Sequence, residues 1–138
     1  LHFWKYHDDP LTEPYGQVGY IEFLKAQFQR RKLDVAVFGV AVDPRLGDPA
    51  ARGAAVRQVR KLAEFMNLSY PIAADDGTLL KKFGDPRRVG ADLPLWIVLT
   101  PDGKVAHYKT GYYEIKPDQG LEELQESVFR VIRGQRGP

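Results

Sequence analysis

His7-Asp8-Asp9-Pro10 is the densest cluster of chemically able groups in the sequence. An imidazole beside two carboxylates can move a proton or help hold a metal ion. Adjacent residues seldom aim at one ion, however, and no third ligand stands close by in sequence. His2 and His107 fall on predicted strands, and the sequence does not bring either one to the cluster. The plainer reading is structural: Asp8 or Asp9 caps the turn or helix that follows, where a carboxylate contributes about 1 kcal/mol. No metal and no cofactor is predicted. Glycine-rich phosphate loops, nucleophile-elbow glycines and zinc-ligand spacings are all missing. Cysteine is absent altogether, which removes disulfides, thiolate ligands and every cysteine-based mechanism within this chain.

The cluster must be carried by the elements around it. Leu1–Tyr6 alternates apolar and aromatic residues and predicts a strand. Thr12–Gly16, with Pro14 in it, predicts a loop. From Gln17 to Lys32, Val18, Ile21, Leu24 and Phe28 recur three or four apart, which predicts a helix closed by Arg30-Arg31-Lys32. Val35–Val42 is a continuous apolar, β-branched run and predicts a central strand buried on both faces. Asp48-Pro49 offers an N-cap and N1 for a helix over Ala50–Asn67, with Val56, Val59, Leu62, Ala63 and Met66 as its buried stripe. Tyr70–Ala73 predicts a short extended piece, Asp75-Asp76-Gly77 a turn, and Thr78–Phe83 a short helix. Leu95–Leu99 and Lys104–Thr110 flank Thr100-Pro101-Asp102-Gly103, a hairpin signature. A last helix starts at Asp118 and places Leu121, Leu124, Val128 and Val131 on one face. The first two strands are joined by a helical crossover, so they are parallel and the crossover is right-handed. The expected fold is an α/β mixed sheet, a parallel βαβ unit plus an antiparallel hairpin, with helices on both faces.

Composition sets the outer limits. The 138 residues make one domain (1–138) that buries roughly two-thirds of its unfolded surface. A 43% apolar and 28% charged composition is that of a globular protein, and a net charge of +2 gives no general case for nucleic acid. Arg52, Arg57, Arg60 and Lys61 share one helix and read as its solvated face, with a docking patch as the minority reading. No apolar run approaches the ~20 residues of a membrane helix. The sequence starts at Leu1, without methionine and in mid-strand, and the expectation is a segment of a longer protein. Trp4, Tyr6, Tyr15, Trp96, Tyr112 and Tyr113 are expected mostly in core packing. Trp4 and Tyr6 flank the loop and are candidates for a recognition groove.

Several short motifs stand in a particular order. They are Phe3-Trp4 before a short loop, Val37-Phe-Gly-Val-Ala-Val-Asp43, Tyr70-Pro71-Ile72 with Asp75-Asp76-Gly77, Leu93-Pro94-Leu95, Thr100-Pro-Asp-Gly-Lys104, and Gly111. In that order they resemble the TlpA-like and redoxin branch of the thioredoxin-like proteins, over essentially the whole chain. The resemblance implies a thioredoxin-like three-layer sandwich and a cis Leu93–Pro94 bond next to the active-site loop. There a backbone edge is open to an extended partner peptide.

The departure falls on the redox motif. The family's Cys-x-x-Cys maps onto Asp8, Asp9, Pro10 and Leu11, with Pro10 retained. A carboxylate and a leucine cannot exchange disulfides, which needs a thiolate attacking through a mixed disulfide. The expected function is therefore a redox-inactive domain that binds a protein or extended peptide, or serves as a structural module. Trp4, Tyr6, His7, Leu93 and Pro94 are the expected binding residues. The alternative is a domain of a thiol-disulfide oxidoreductase or peroxiredoxin-like protein whose reactive cysteines lie outside this chain, or one that uses Asp8 and Asp9 as acid and base. Replacement of both motif positions by residues unlike Ser or Ala argues against an engineered cysteine-free variant. Relatives of this branch are frequently extracytoplasmic and tethered, so the resemblance implies that location, while the lack of a long apolar run implies no membrane insertion by the chain itself.

Overall fold

The computed structural model describes residues 1–5, 13–111, 113 and 122–135, with backbone only for 13–17 and 135. Among the described residues the sheet has five strands: β1 (His2–Lys5), β2 (Gly39–Val42), β3 (Ile72–Asp75), β4 (Leu95–Leu99) and β5 (Val105–Thr110). Their order across the sheet is β3-β2-β1-β4-β5. β1 pairs parallel with β2 (His2 opposite Gly39) and antiparallel with β4 (His2 opposite Trp96). β2 and β3 are parallel, and β4 and β5 form the antiparallel hairpin. The helices are α1 (Glu13–Arg30), α2 (Arg52–Phe65), α3 (Thr78–Phe83) and α4 (Glu122–Gln135). The expected mixed α/β architecture is present, with one strand more than expected. β3 takes in the extended piece at Ile72–Ala73 and runs on through Asp75.

Strand alternation divides the core into two layers. Trp4, Ala41 and Trp96 face a cluster completed by Val18, Ile21, Leu24 and Phe28 of α1, Val59 of α2, and Leu124 and Val128 of α4. Phe3, Val40, Val42, Leu95 and Ile97 face the other way, with Leu80 of α3 and Leu93. Both faces of β1, β2 and the first part of β4 are therefore covered. This is why their sequences read as unbroken apolar runs.

The differences from the sequence reading have local causes. α1 begins at Glu13, four residues earlier than expected, with Pro14 in its first turn. A proline is tolerated there because no intrahelical bond needs its missing N–H. α1 and α2 both end in a residue with positive φ, Lys32 (57°) and Asn67 (54°). Leu33 N–H donates to Phe28 C=O and Lys32 N–H to Gln29 C=O, a Schellman closure. Asn67 and Leu68 close α2 in the same way, on Glu64 and Ala63. α2 begins at Arg52 rather than Ala50, and Asp48 instead accepts from Ala50 N–H (3.0 Å) in the preceding turn. The run Val35–Val42 is ladder only from Gly39 onward. Val35 to Phe38 precede the first pairs with β1 and β3, and Phe38 is 44% exposed.

Gly103 is required by φ and Gly39 by space. At the hairpin, Gly103 (φ 86°) donates to Thr100 C=O, and Thr100 N–H to Lys104 C=O. A Cβ at Gly39 would stand 2.5 Å from Ile72 Cδ1 and 3.1 Å from the Tyr70 ring. Gly39→Ala is expected to cost about 1–3 kcal/mol through overpacking. Part of that cost should vanish in an Ile72→Val background, which removes Cδ1. Chemical denaturation of the four-protein cycle checks it, and equal costs in both backgrounds would show that the contact is not the cause.

Candidate functional site

The C-terminal end of β1, where the chain enters residues 6–12, is the candidate site. Phe3 stands opposite Leu95. Carried on, that register sets Trp4 opposite Pro94 and Lys5 opposite Leu93. The Leu93–Pro94 bond is cis. Leu93 is 8% exposed and packs on the core beneath the sheet. Its N–H donates to the Asp92 carboxylate (2.8 Å), and Pro94 C=O accepts from Gly111 N–H (2.8 Å). Leu93 C=O has no hydrogen-bond partner among the described residues. It is the open main-chain acceptor of this pair, beside the end of the central strand.

Trp4, expected as a groove residue, is 1% exposed and sits in the helix-facing core cluster. Tyr6 and His7, the other two expected binding residues, lie outside the described residues. So do Asp8, Asp9, Pro10 and Leu11, the positions matching the redox motif. Among the described residues no group of three or more His, Asp or Glu side chains is placed to hold a metal ion. No helix among them is long and apolar enough to cross a membrane.

The sequence reading missed a polar network at the end of β2, the strand beside β1. Asp43 is 5% exposed. Its carboxylate accepts from Arg45 N–H (3.0 Å) and, through both oxygens, from the Arg45 guanidinium (2.7 Å at the shortest), which also donates to Gln58 (2.8 Å). Burial by itself would raise the Asp43 pKa. The hydrogen bonds and charge of Arg45 outweigh that and hold it below the usual carboxylate value. The signal was present in the sequence: Asp43-Pro44 is an N-cap followed by N1 of the 3₁₀ turn Pro44–Gly47. Next along this edge, Asp75 accepts from Leu79 and Leu80 N–H (both 3.0 Å) and caps α3. Both carboxylates are thus satisfied by structure. Arg52, Arg57, Arg60 and Lys61 are exposed on α2, and among the described residues none of the four forms an ion pair.

The two histidines of the sheet are held away from this end. His107 Nε2 lies 2.7 Å from the Tyr113 hydroxyl. Desolvation lowers its pKa despite Glu123 nearby. The same Tyr113 meets Trp96 edge-on at 4.9 Å, and burial raises its own pKa, so it is not an activated phenolate. His2, at the start of β1, stacks on Trp96 at 4.0 Å. It is 3% exposed, and neither ring nitrogen has a partner among the described residues. Compared with known protein families and with curated proteins, the chain matches none.

Burial, and secondarily the nearby Leu1 ammonium, hold His2 neutral by lowering its pKa from 6.5 to about 3. The unfolded chain therefore takes up a proton that the folded one refuses, and stability falls as pH drops from about 6.5 toward 3. His2→Phe keeps the stacked ring and removes two orphaned nitrogens, so it should stabilise by about 1 kcal/mol at pH 7. Its advantage should widen as pH falls to 5. Urea unfolding at both pH values reads this, and an advantage that stays constant with pH would contradict the assignment.

Proposed function

We propose that this chain is a thioredoxin-like domain without a redox pair, which binds an extended peptide segment of a protein partner beside the C-terminal end of β1. The carrying observation is positional. The central strand of the β3-β2-β1-β4-β5 sheet ends next to Leu93, whose C=O is open among the described residues while the N–H and the side chain are both engaged. An acceptor fixed on a rigid strand end pairs with the N–H of an extended chain, as in recognition by strand addition. The absence of cysteine supports the non-redox half of the reading, because thiol–disulfide exchange has no substitute for the thiolate. In the sequence Asp8 and Leu11 stand at the positions of the family's two cysteines, and neither can supply a thiolate.

Titration of the isotope-labelled protein with a panel of extended peptides tests this reading. Backbone NMR shifts are expected at Lys5, Asp92, Leu93 and Gly111, with β3 and α2 unchanged. Shifts confined to any other surface, or none up to about millimolar peptide, the weak end of specific binding, would refute it.

A further inference from the structure

β3 is an edge strand, paired with β2 on one side and open on the other. Gly39 N–H donates to Pro71 C=O (3.0 Å) and Asp43 N–H to Asp75 C=O (2.9 Å). Main-chain groups in a strand alternate sides, so the N–H and C=O groups of Ile72 and Ala74 point away from β2. None of these four groups has a hydrogen-bond partner among the described residues. Ala73 and Ala74 are both exposed. Edge strands are usually guarded by lysine, proline or a bulge. β3 contains neither lysine nor proline, and its register with β2 is unbroken. Two alanines in succession leave the main chain within reach of another strand.

The helix beside this edge is basic. α2 joins β2 to β3 and packs through Val59 on the layer that Ala41 faces. Ala74 stands opposite Ala41, and Ile72 packs against the same cluster, so both side chains lie on that layer. Arg52, Val56 and Arg60 recur four apart and share one flank of α2. Arg52 Nε donates to Leu46 C=O (2.7 Å). The neighbouring Gly47 lies against Asp76, where an added Cβ would stand 3.7 Å from Oδ2. Hydrogen bonds from Thr78, with a smaller pull from the charge of Arg52, hold the Asp76 carboxyl below its usual value. Asp76 directly follows β3, so the flank that begins at Arg52 is the one toward the open edge. Neither Arg52 nor Arg60 forms an ion pair among the described residues.

We propose that the outer edge of β3 takes up an extended acidic peptide segment of a partner protein, added to the sheet beside the Arg52–Arg60 flank of α2. The four open main-chain groups supply the pairing, as in strand addition, and the arginines select the partner. Eight residues separate Arg52 from Arg60, about 12 Å along the helix. Residues four apart in an extended strand are about 13 Å apart and point to the same face. The segment that fits carries a carboxylate at its first and fifth positions and an apolar residue at the third, level with Val56. A second copy of this chain is the poorer occupant, because pairing β3 with β3 about a two-fold axis brings both sets of arginines to one seam. A nucleic acid would meet the charge and leave the four main-chain groups unpaired. The site is on another edge of the sheet and does not rest on peptide binding at Leu93.

The test titrates the 138-residue chain with acetyl-Glu-Thr-Val-Thr-Glu-amide and, as a control, acetyl-Lys-Thr-Val-Thr-Lys-amide. The Leu93 titration uses uncharged peptides, which leave β3 unchanged, so the two sites are read separately. The acidic peptide is expected to shift the Ile72 and Ala74 amide resonances and to slow their hydrogen exchange by about tenfold. The lysine peptide should do neither. Arg60→Glu should weaken the acidic peptide by about threefold or more. Ala74→Pro removes one outward N–H and no ladder bond, so it should keep the fold and lose the peptide. Equal effects of the two peptides, no effect on Ile72 and Ala74 up to about millimolar, or unchanged affinity in Arg60→Glu overturns the proposal. Protection of these two amides that grows with protein concentration alone assigns the edge to a second copy and overturns it as well.

Discussion

Every layer of this molecule is arranged around the four residues of β1. His2–Lys5 hydrogen-bonds on both sides, parallel to β2 and antiparallel to β4, and buries side chains on both faces. Three of the four residues are 3% exposed or less. A central strand so short has little spare ladder, so its neighbours carry the register. Gly39 lets β3 and Tyr70 close in on β2, and the cluster around Trp96 fixes β4. Phe3 and Trp4, adjacent in sequence, anchor opposite core layers. A one-residue slip would exchange those layers, which is why register is strongly specified here.

The aromatic chain across the sheet is the second constraint. Trp96 has His2 stacked on one side and Tyr113 edge-on, and its indole N–H donates to Gly111 C=O (2.8 Å). Tyr113 then reaches His107 on β5 and lies under the Lys109 ammonium at 4.8 Å. The contacts tie β1, β4, β5 and the segment before α4 into one unit. Neither ring nitrogen of His2 has a hydrogen-bond partner among the described residues.

Much of the fold was legible because burial on two faces leaves a plain signature. Leu95–Leu99 and the second half of Val35–Val42 are such runs, and the Thr100–Lys104 turn names its own hairpin. The misread parts depend on contacts that sequence does not display. Val35 to Phe38 are as apolar as the strand they precede, but pairing depends on what lies alongside. Ala73 and Ala74 gave little strand signal because β3 is an edge, half open to solvent. The helix ends at Lys32 and Asn67 lack the glycine that usually marks a left-handed cap. The cis Leu93–Pro94 bond follows from a motif order, whereas Asp43 reads in the sequence only as a strand terminator. Trp4 lies in the element expected of it, and its side chain is buried in the helix-facing core cluster.

The open acceptor beside the C-terminal end of β1 requires that this strand be the rigid centre of the sheet. Native-state hydrogen exchange under mildly denaturing conditions measures that directly. The Phe3 and Trp4 amides should be among the last to exchange, through global unfolding, and should share the full denaturant dependence of the protein. Exchange of these two amides through a smaller opening, as fast as that of the β3 and β5 edges, would contradict the account.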